Sequence, residues 1–308
     1  MTVEPGVLPV PYVVRRGEGM PLVTLHGNGV DHRLLLGLDD VLAGTGPWER
    51  IYPDLAGFGR TPALEGAGGL PELADWVVAM VRDLVGERPF ALLASSLGGL
   101  LARHVVAAMP QQVRGIALLA PVVDPVPSGR TLPPFRVLER DEELLASLDD
   151  ADRVEFEGMT TRQVREVWDL FRDGVMPGVR TANAEAMARL WENYALAAPE
   201  DSFAQPCEAP TLVVTGRQDH IVGYVDQLAL LEHYPRATYL LLDAAGHNPQ
   251  LERRCSSRTP CATGPTASTR GSNPQLKAAR VVASAGRNVS RWRRRAGTAG
   301  TDVEANQW

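Results

Sequence analysis

Ser96 is the residue whose setting carries the clearest chemistry. It lies in Phe90-Ala-Leu-Leu-Ala-Ser-Ser-Leu-Gly-Gly99, an apolar run that leads straight into a helical pattern. A serine on a sharp strand-to-helix turn presents its hydroxyl above the sheet. The backbone passes so close there that the residues two places either side must be small. Ala94 and Gly98 meet that need for Ser96, whereas Leu93 and Leu97 fail it for Ser95. The stretch departs from G-x-S-x-G only by Ala94, one small residue for another. Taken alone, the same residues also describe a serine that caps a helix start.

A serine hydroxyl is a weak nucleophile near neutral pH and needs an imidazole to take its proton and an acid to orient that imidazole. The chain has six histidines. His247, in Asp243-Ala-Ala-Gly-His-Asn-Pro, follows the last apolar run and is the expected base. His220, beside an acid, is a weaker candidate. His104 falls on an apolar helix face and reads as a packed core residue, and His233 as a helix-end residue. Leu212-Val-Val-Thr-Gly-Arg-Gln-Asp219 is again a strand and a glycine turn, which makes Asp219 the expected acid, with Asp124 the alternative. The order Ser96, Asp219, His247 is the one expected of such a sheet enzyme. Two backbone N–H groups must face the developing oxyanion. Leu97 is expected to give one and Asn28, in Leu22-Val-Thr-Leu-His-Gly-Asn-Gly29, the other. That loop lacks the Lys-Ser/Thr ending of a phosphate loop and the remainder of a dinucleotide fingerprint.

These side chains must be held by a sheet. Strand candidates are Tyr12–Arg15, Leu22–Leu25, Arg50–Tyr52, Phe90–Leu93, Ile116–Leu119, Leu212–Thr215 and Thr238–Leu242. Most are continuously apolar, as in strands covered on both faces. Helical periodicity lies between them, in Pro71–Val85 and Leu97–Met109, and the alternation implies a parallel sheet with crossover helices. From Pro121 to Pro206 there is no strand pattern. Two amphipathic helices stand out, one carrying Val164, Val167, Trp168, Phe171 and Val175, the other Met187, Leu190, Trp191 and Tyr194. A stretch of that length is an inserted helical unit rather than a loop.

With these motifs in place, the chain resembles the α/β-hydrolase family. The resemblance rests on His26-Gly-Asn-Gly, Tyr52-Pro-Asp-Leu-Ala-Gly-Phe-Gly-Arg60, Ala94-Ser-Ser-Leu-Gly-Gly99, Gly216-Arg-Gln-Asp219 and Gly246-His247, and covers residues from about 12 to 252. It implies an α/β fold: an eight-stranded, mostly parallel sheet with flanking helices and a helical cap inserted after strand 6. The core would be residues 1–121 and 207–252, and the cap residues 122–206. It also implies Ser96 as nucleophile, His247 as base and Asp219 as orienting acid. Asp54, Gly57 and Gly59 of the second stretch read as structural.

A serine, rather than an aspartate, at the elbow points to acyl transfer to water. Trp168, Phe171, Trp191 and Tyr194 are candidates to line an apolar pocket, although such aromatics more often pack a cap onto a sheet. The expected activity is hydrolysis of a small hydrophobic carboxylic ester. One alternative is a carbon–carbon hydrolase of a vinylogous diketone acid, its carboxylate held by Arg130, Arg136, Arg162 or Arg165. The other is a small-molecule-binding protein without turnover. Neither a metal-ligand cluster nor a nucleotide fingerprint is read, so no cofactor and no metal are expected.

Composition bounds the setting. The chain has 308 residues, 44% hydrophobic and 22% charged, enough for a sizeable core. No apolar run reaches 18 residues and no basic leader precedes an apolar stretch, so neither a membrane span nor a secretory signal is expected. Three cysteines are too few for a disulfide framework, which reads as a cytoplasmic chain with reduced thiols. Residues 1–252 carry a net charge of −15 and residues 253–308 a net charge of +9. Past residue 252 the apolar period stops, and Arg291-Trp-Arg-Arg-Arg295 is basic. This stretch is read as a disordered or non-native extension, of the kind a reading-frame shift produces, rather than as a nucleic-acid-binding tail. Losing a closing helix there would leave a sheet edge exposed, and a homodimer would be one compensation.

Overall fold

The computed structural model describes residues 8–253. The expectations for residues 254–308 lie outside that range. Each of the seven apolar runs forms one strand of a single sheet. These are β1 (Val13–Arg16), β2 (Met20–Leu25), β3 (Trp48–Pro53), β4 (Phe90–Ser95), β5 (Val113–Leu119), β8 (Thr211–Gly216) and β9 (Ala237–Leu242). The spatial order is β1-β3-β2-β4-β5-β8-β9, with only β1 antiparallel. The sheet therefore has seven strands among the described residues, not eight, and the insert follows the fifth sheet strand, not the sixth. Residues 8–253 hold seven strands in this sheet and no eighth.

Helices α1 (Arg33–Leu36), α2 (Asp39–Ala43), α3 (Leu70–Val85) and α4 (Leu97–Ala108) accompany the first half of the sheet. α3 buries Leu73, Trp76, Val77, Met80 and Val81, the residues at helical spacing in the sequence. They join β2, β4, β5 and α4 in one apolar cluster. A second cluster on the opposite face gathers Leu22, Tyr52, Leu93, Leu212 and Val214 with Leu35 and Leu42. Alternate residues of one strand serve the two clusters, Leu92 one and Leu93 the other. This is why central strands such as β4 read as apolar runs rather than alternating.

Between β5 and β8 the chain forms α5 (Glu142–Ser147), α6 (Asp150–Met159), α7 (Arg165–Gly174), α8 (Met176–Thr181) and α9 (Ala184–Glu192). A two-residue parallel pair, β6 (Glu139–Arg140) and β7 (Arg162–Gln163), is the strand structure that the pattern missed. α7 and α9 are the two amphipathic helices expected. The others are short, and periodicity over one or two turns is a weak signal. Capping was the better one: Asp141 accepts the Leu144 N–H, Asp149 that of Asp152, and Asn183 that of Ala186. The chain closes with α10 (Asp226–Ala229) before β9 and α11 (Pro249–Glu252) after it.

The chain leaves β2 for β3 on one side, and β4 then returns to the other side of β2. The crevice at the strands' C-terminal ends, between β2 and β4, is the place where such sheets bind ligands. Leu25 pairs with Ala94 there, so the loop after β2 lies against the turn after β4.

Candidate active site

Ser96 occupies the junction of β4 and α4 with φ 52° and ψ −119°, a conformation that L-residues rarely adopt. The strain is held in place by packing. The Ser96 N–H donates to Leu119 O, and Ser96 O accepts from the N–H groups of Gly99 and Val122. A Cβ on Gly98 would overlap the carbonyl oxygens of Leu25 and His26, and Ala94 is fully buried. The demand for small neighbours, read from the sequence, is thus a contact with the loop after β2. On that loop a Cβ at Gly27 would lie 3.7 Å from Ser96 Oγ.

His247 and Asp219 come to Ser96 from the turns after β9 and β8. Ser96 Oγ lies 2.9 Å from His247 Nε2, and His247 Nδ1 lies 3.1 Å from Asp219 Oδ2. A carboxylate only accepts, so the proton is on Nδ1 and Nε2 is left as acceptor for the serine hydroxyl. Asp219 is fully buried, and its other oxygen takes the N–H groups of Ile221 at 2.9 Å and Val222 at 3.0 Å. The acid therefore cannot swing away from the imidazole without orphaning two buried donors. Ser96 and His247 are 9% and 6% exposed, accessible to a small reactant and otherwise shielded.

The other candidates separate cleanly. Asp124 accepts the Val126 N–H in its own turn, so the acid facing His247 is Asp219. His220 donates from Nε2 to Gly158 O at 3.1 Å and packs on Phe135, and burial pushes its pKa down. His104 is half-buried beside the exposed Asp75 rather than in the core. His233 ends a 3-10 turn, as expected. Leu97 is the first residue of α4, where a helix has N–H groups without intrahelical acceptors. Asn28 lies in the loop beside Ser96.

The four aromatics named as pocket candidates lie mostly in apolar packing. Trp168 and Phe171 are 3% and 0% exposed and meet Phe156 edge to face, against Val30, Leu34 and Leu251. They pack the insert onto α1 and α11. Trp191 is half exposed and packs on Tyr194, with ring centroids 4.4 Å apart, and Tyr194 is buried in the main cluster. Apolar periodicity marks which face of a helix avoids water and not what covers it. A cavity of about 690 Å³ lined by Ala107, Pro110, Cys207, Pro210 and Arg236 lies at the opposite, N-terminal rim of the strands.

Two further residues shape the site. His26 is fully buried. Its Nδ1 donates to Gly27 O, and its Nε2 accepts the Leu55 N–H at 2.9 Å. Burial pushes its pKa down, partly offset by the bond to Gly27. A neutral His26 thus ties the β2 loop to the segment after β3. Asp54 fixes the same region: Oδ1 accepts from the His32 N–H and ring, and Oδ2 from the Arg60 N–H. Burial raises the Asp54 pKa, but these bonds outweigh it and the carboxyl titrates below its ordinary range. Asp31, His32 and Asp54 are also the one group among the described residues with three donor atoms close enough to share a metal ion. Their atoms are already engaged, Asp31 by Arg33 and Asp54 as above, so they serve as a brace.

Residues 20–254 match the family model for the alpha/beta hydrolase fold. The chain is 28% identical over 248 residues to a pimeloyl-[acyl-carrier protein] methyl ester esterase of Shewanella woodyi, covering 77% of this chain and 91% of that protein. It is 28% identical over 251 residues to a 2-hydroxymuconate semialdehyde hydrolase of Pseudomonas putida, covering 77% and 84%. An alpha/beta superfamily hydrolase from Oenococcus oeni PSU-1 superposes with a TM-score of 0.72 at 23% identity, covering 79% of this chain and 93% of that one.

Proposed function

The chain belongs to the α/β-hydrolase fold family, and we propose that it is a serine hydrolase cleaving a small, hydrophobic carboxylic ester through an acyl-enzyme on Ser96. The observation that carries this reading is the continuous Ser96–His247–Asp219 hydrogen-bonded line at the strands' C-terminal rim. The esterase relatives support the bond cleaved. The segment of residues 122–206 serves as a cap over the site, and the substrate is a free small molecule.

The reaction begins when His247 Nε2 takes the Ser96 proton as Oγ attacks the ester carbonyl carbon. The N–H groups of Leu97 and Asn28 hold the oxyanion. The tetrahedral adduct collapses, the carbonyl-to-alkoxide bond breaks, and His247 gives its proton to the leaving alcohol. Water then enters, His247 takes one of its protons as the oxygen attacks the acyl carbon, and the bond to Ser96 Oγ breaks as His247 returns that proton to Oγ, freeing the acid and restoring the serine hydroxyl. Asp219 stays ionised throughout and stabilises the imidazolium. No step calls on a cofactor or metal.

Similarity to the semialdehyde hydrolase favours a second reading, cleavage of a carbon–carbon bond in a diketone-like acid. That substrate needs a cation for its carboxylate. Arg130 already donates to the carbonyls of Asp124, Pro125 and Ile221, and Arg162 to Glu139 and to Glu252 O. Residues 122–206 hold 9 arginines against 17 acids, which disfavours an anionic substrate. These features support the simple ester.

The test is turnover of p-nitrophenyl esters of increasing acyl length. Ser96→Ala is expected to lose on the order of 10⁴–10⁶-fold in kcat. Unchanged turnover in that variant rejects the assignment.

A further inference from the structure

Glu252 is fully buried, five residues beyond His247, and the steps above do not use it. Its Oε1 accepts the Gly246 N–H at 2.9 Å. Its Oε2 accepts the N–H groups of Thr161 at 2.9 Å and Arg162 at 3.1 Å. The Arg162 guanidinium donates to Glu252 O, and Glu139 and Glu166 pair with that guanidinium from the other side. One carboxylate therefore joins three pieces of chain: the residue just before His247, the start of β7 in the insert, and the last turn of α11. The contacts are tight, since a Cβ on Gly246 would lie 3.0 Å from Oε1.

We propose that Glu252 is a positioning residue that sets the His247 ring against Ser96 by clamping the Gly246 amide to the insert. This rests on the serine-hydrolase reading above. The reasoning is geometric. Hydrogen bonding of Nδ1 to Asp219 fixes the rotation of the ring, but the height of Nε2 above Ser96 depends on where the His247 backbone lies. The β9–α11 turn is tied to the β8 turn ahead of Gly246, where Gln218 bonds Asp243 and both the N–H and the carbonyl of Ala245, but beyond His247 Asn248 makes no side-chain cap bond to α11, and α11 is one turn long. The Gly246–Glu252 bond is the restraint adjacent to the imidazole. It also links the insert to the base, so a shift of the insert on binding substrate reaches His247 through one side chain. Burial raises the Glu252 pKa to about 7, outweighing the pull of its three amide donors and of Arg162.

The test compares the full chain with Glu252→Ala and Glu252→Gln. Melting temperature is read first, then p-nitrophenyl ester kinetics well below the melting point. Glu252→Ala is expected to lower kcat on the order of 10²-fold with KM little changed, as misplacement of about 1 Å does. Glu252→Gln keeps one carbonyl acceptor and is expected to fall between Ala and the parent. If the Ala variant does not fold, the Gln variant carries the comparison. A lowered melting temperature with parental kcat in the folded variants would overturn the proposal and leave Glu252 a structural anchor. A fluorophosphonate label on the parent distinguishes the two failures. Without it the serine-hydrolase reading itself falls, and with it only the role of Glu252 is at issue.

Discussion

At the scale of single residues, Asp219 carries the sharpest consequence. Its carboxylate bonds His247 Nδ1 and two backbone amides at once. Asp219→Asn would present an N–H where an acceptor is needed and favour the wrong imidazole tautomer. The expected result is a kcat loss on the order of 10⁴-fold with the fold retained, read by steady-state kinetics beside a thermal melt. His26 gives a pH-dependent expectation. Its folded pKa lies below that of the unfolded chain, so the folded state binds fewer protons. Its contribution to stability is complete above pH 6.5 and is lost as pH falls below that value. A ¹H–¹³C titration should find the His26 ring titrating below the ordinary histidine value. A ring that titrates at or above 6.5 would contradict the bond from Leu55. Ser96, Asp219 and His247 were legible in sequence because each follows an apolar strand and a small-residue turn. Glu252 was not. Its meaning depends on Thr161 and Arg162, about ninety residues away, and nothing local distinguishes it from a surface acid.

Elements explain why those residues converge. Gly98 is where α4 meets the loop after β2, and a methyl group there overlaps backbone rather than a mobile side chain. Gly98→Ala is expected to cost about 3 kcal/mol, at the upper end of overpacking, and to reduce turnover by moving Ser96. Denaturant melts and ester kinetics read the two effects. Trp168 packs with Phe156 and Phe171 where the insert meets α1 and α11. Trp168→Ala is expected to destabilise by about 3–5 kcal/mol while leaving the acyl-length profile unchanged. A shifted length preference with parental stability would restore Trp168 to the pocket. The sheet strands were readable because burial on both faces leaves no polar alternation to confuse them. The short helices α5, α6 and α8 were not, because one or two turns carry too little periodicity, and β6 and β7 pair over two residues only.

For the whole molecule, charge and topology set the limits on function. Among the described residues no helix is long and apolar enough to cross a membrane. The Ser96–His247–Asp219 line joins the turns after three different strands, so it exists only when the sheet is assembled and should vanish with it on unfolding. Ester hydrolysis and the near-UV signal of the buried aromatics are therefore expected to be lost together in urea. All residues assigned a role lie between 26 and 252, and a chain ending at Arg253 is expected to keep the parental kcat/KM if it folds as the full chain does. The family fold was legible from motif order, whereas the strand number and the covering of the aromatic helices were not. Both depend on which surfaces meet in three dimensions.

Fluorophosphonate labelling followed by peptide mapping reads the reactivity of the Ser96 hydroxyl itself. The phosphonyl adduct is expected on the peptide containing Ser96, absent in Ser96→Ala and strongly slowed in His247→Ala. An adduct on another residue, or a labelling rate indifferent to loss of the His247 imidazole, would contradict a nucleophile activated by that ring.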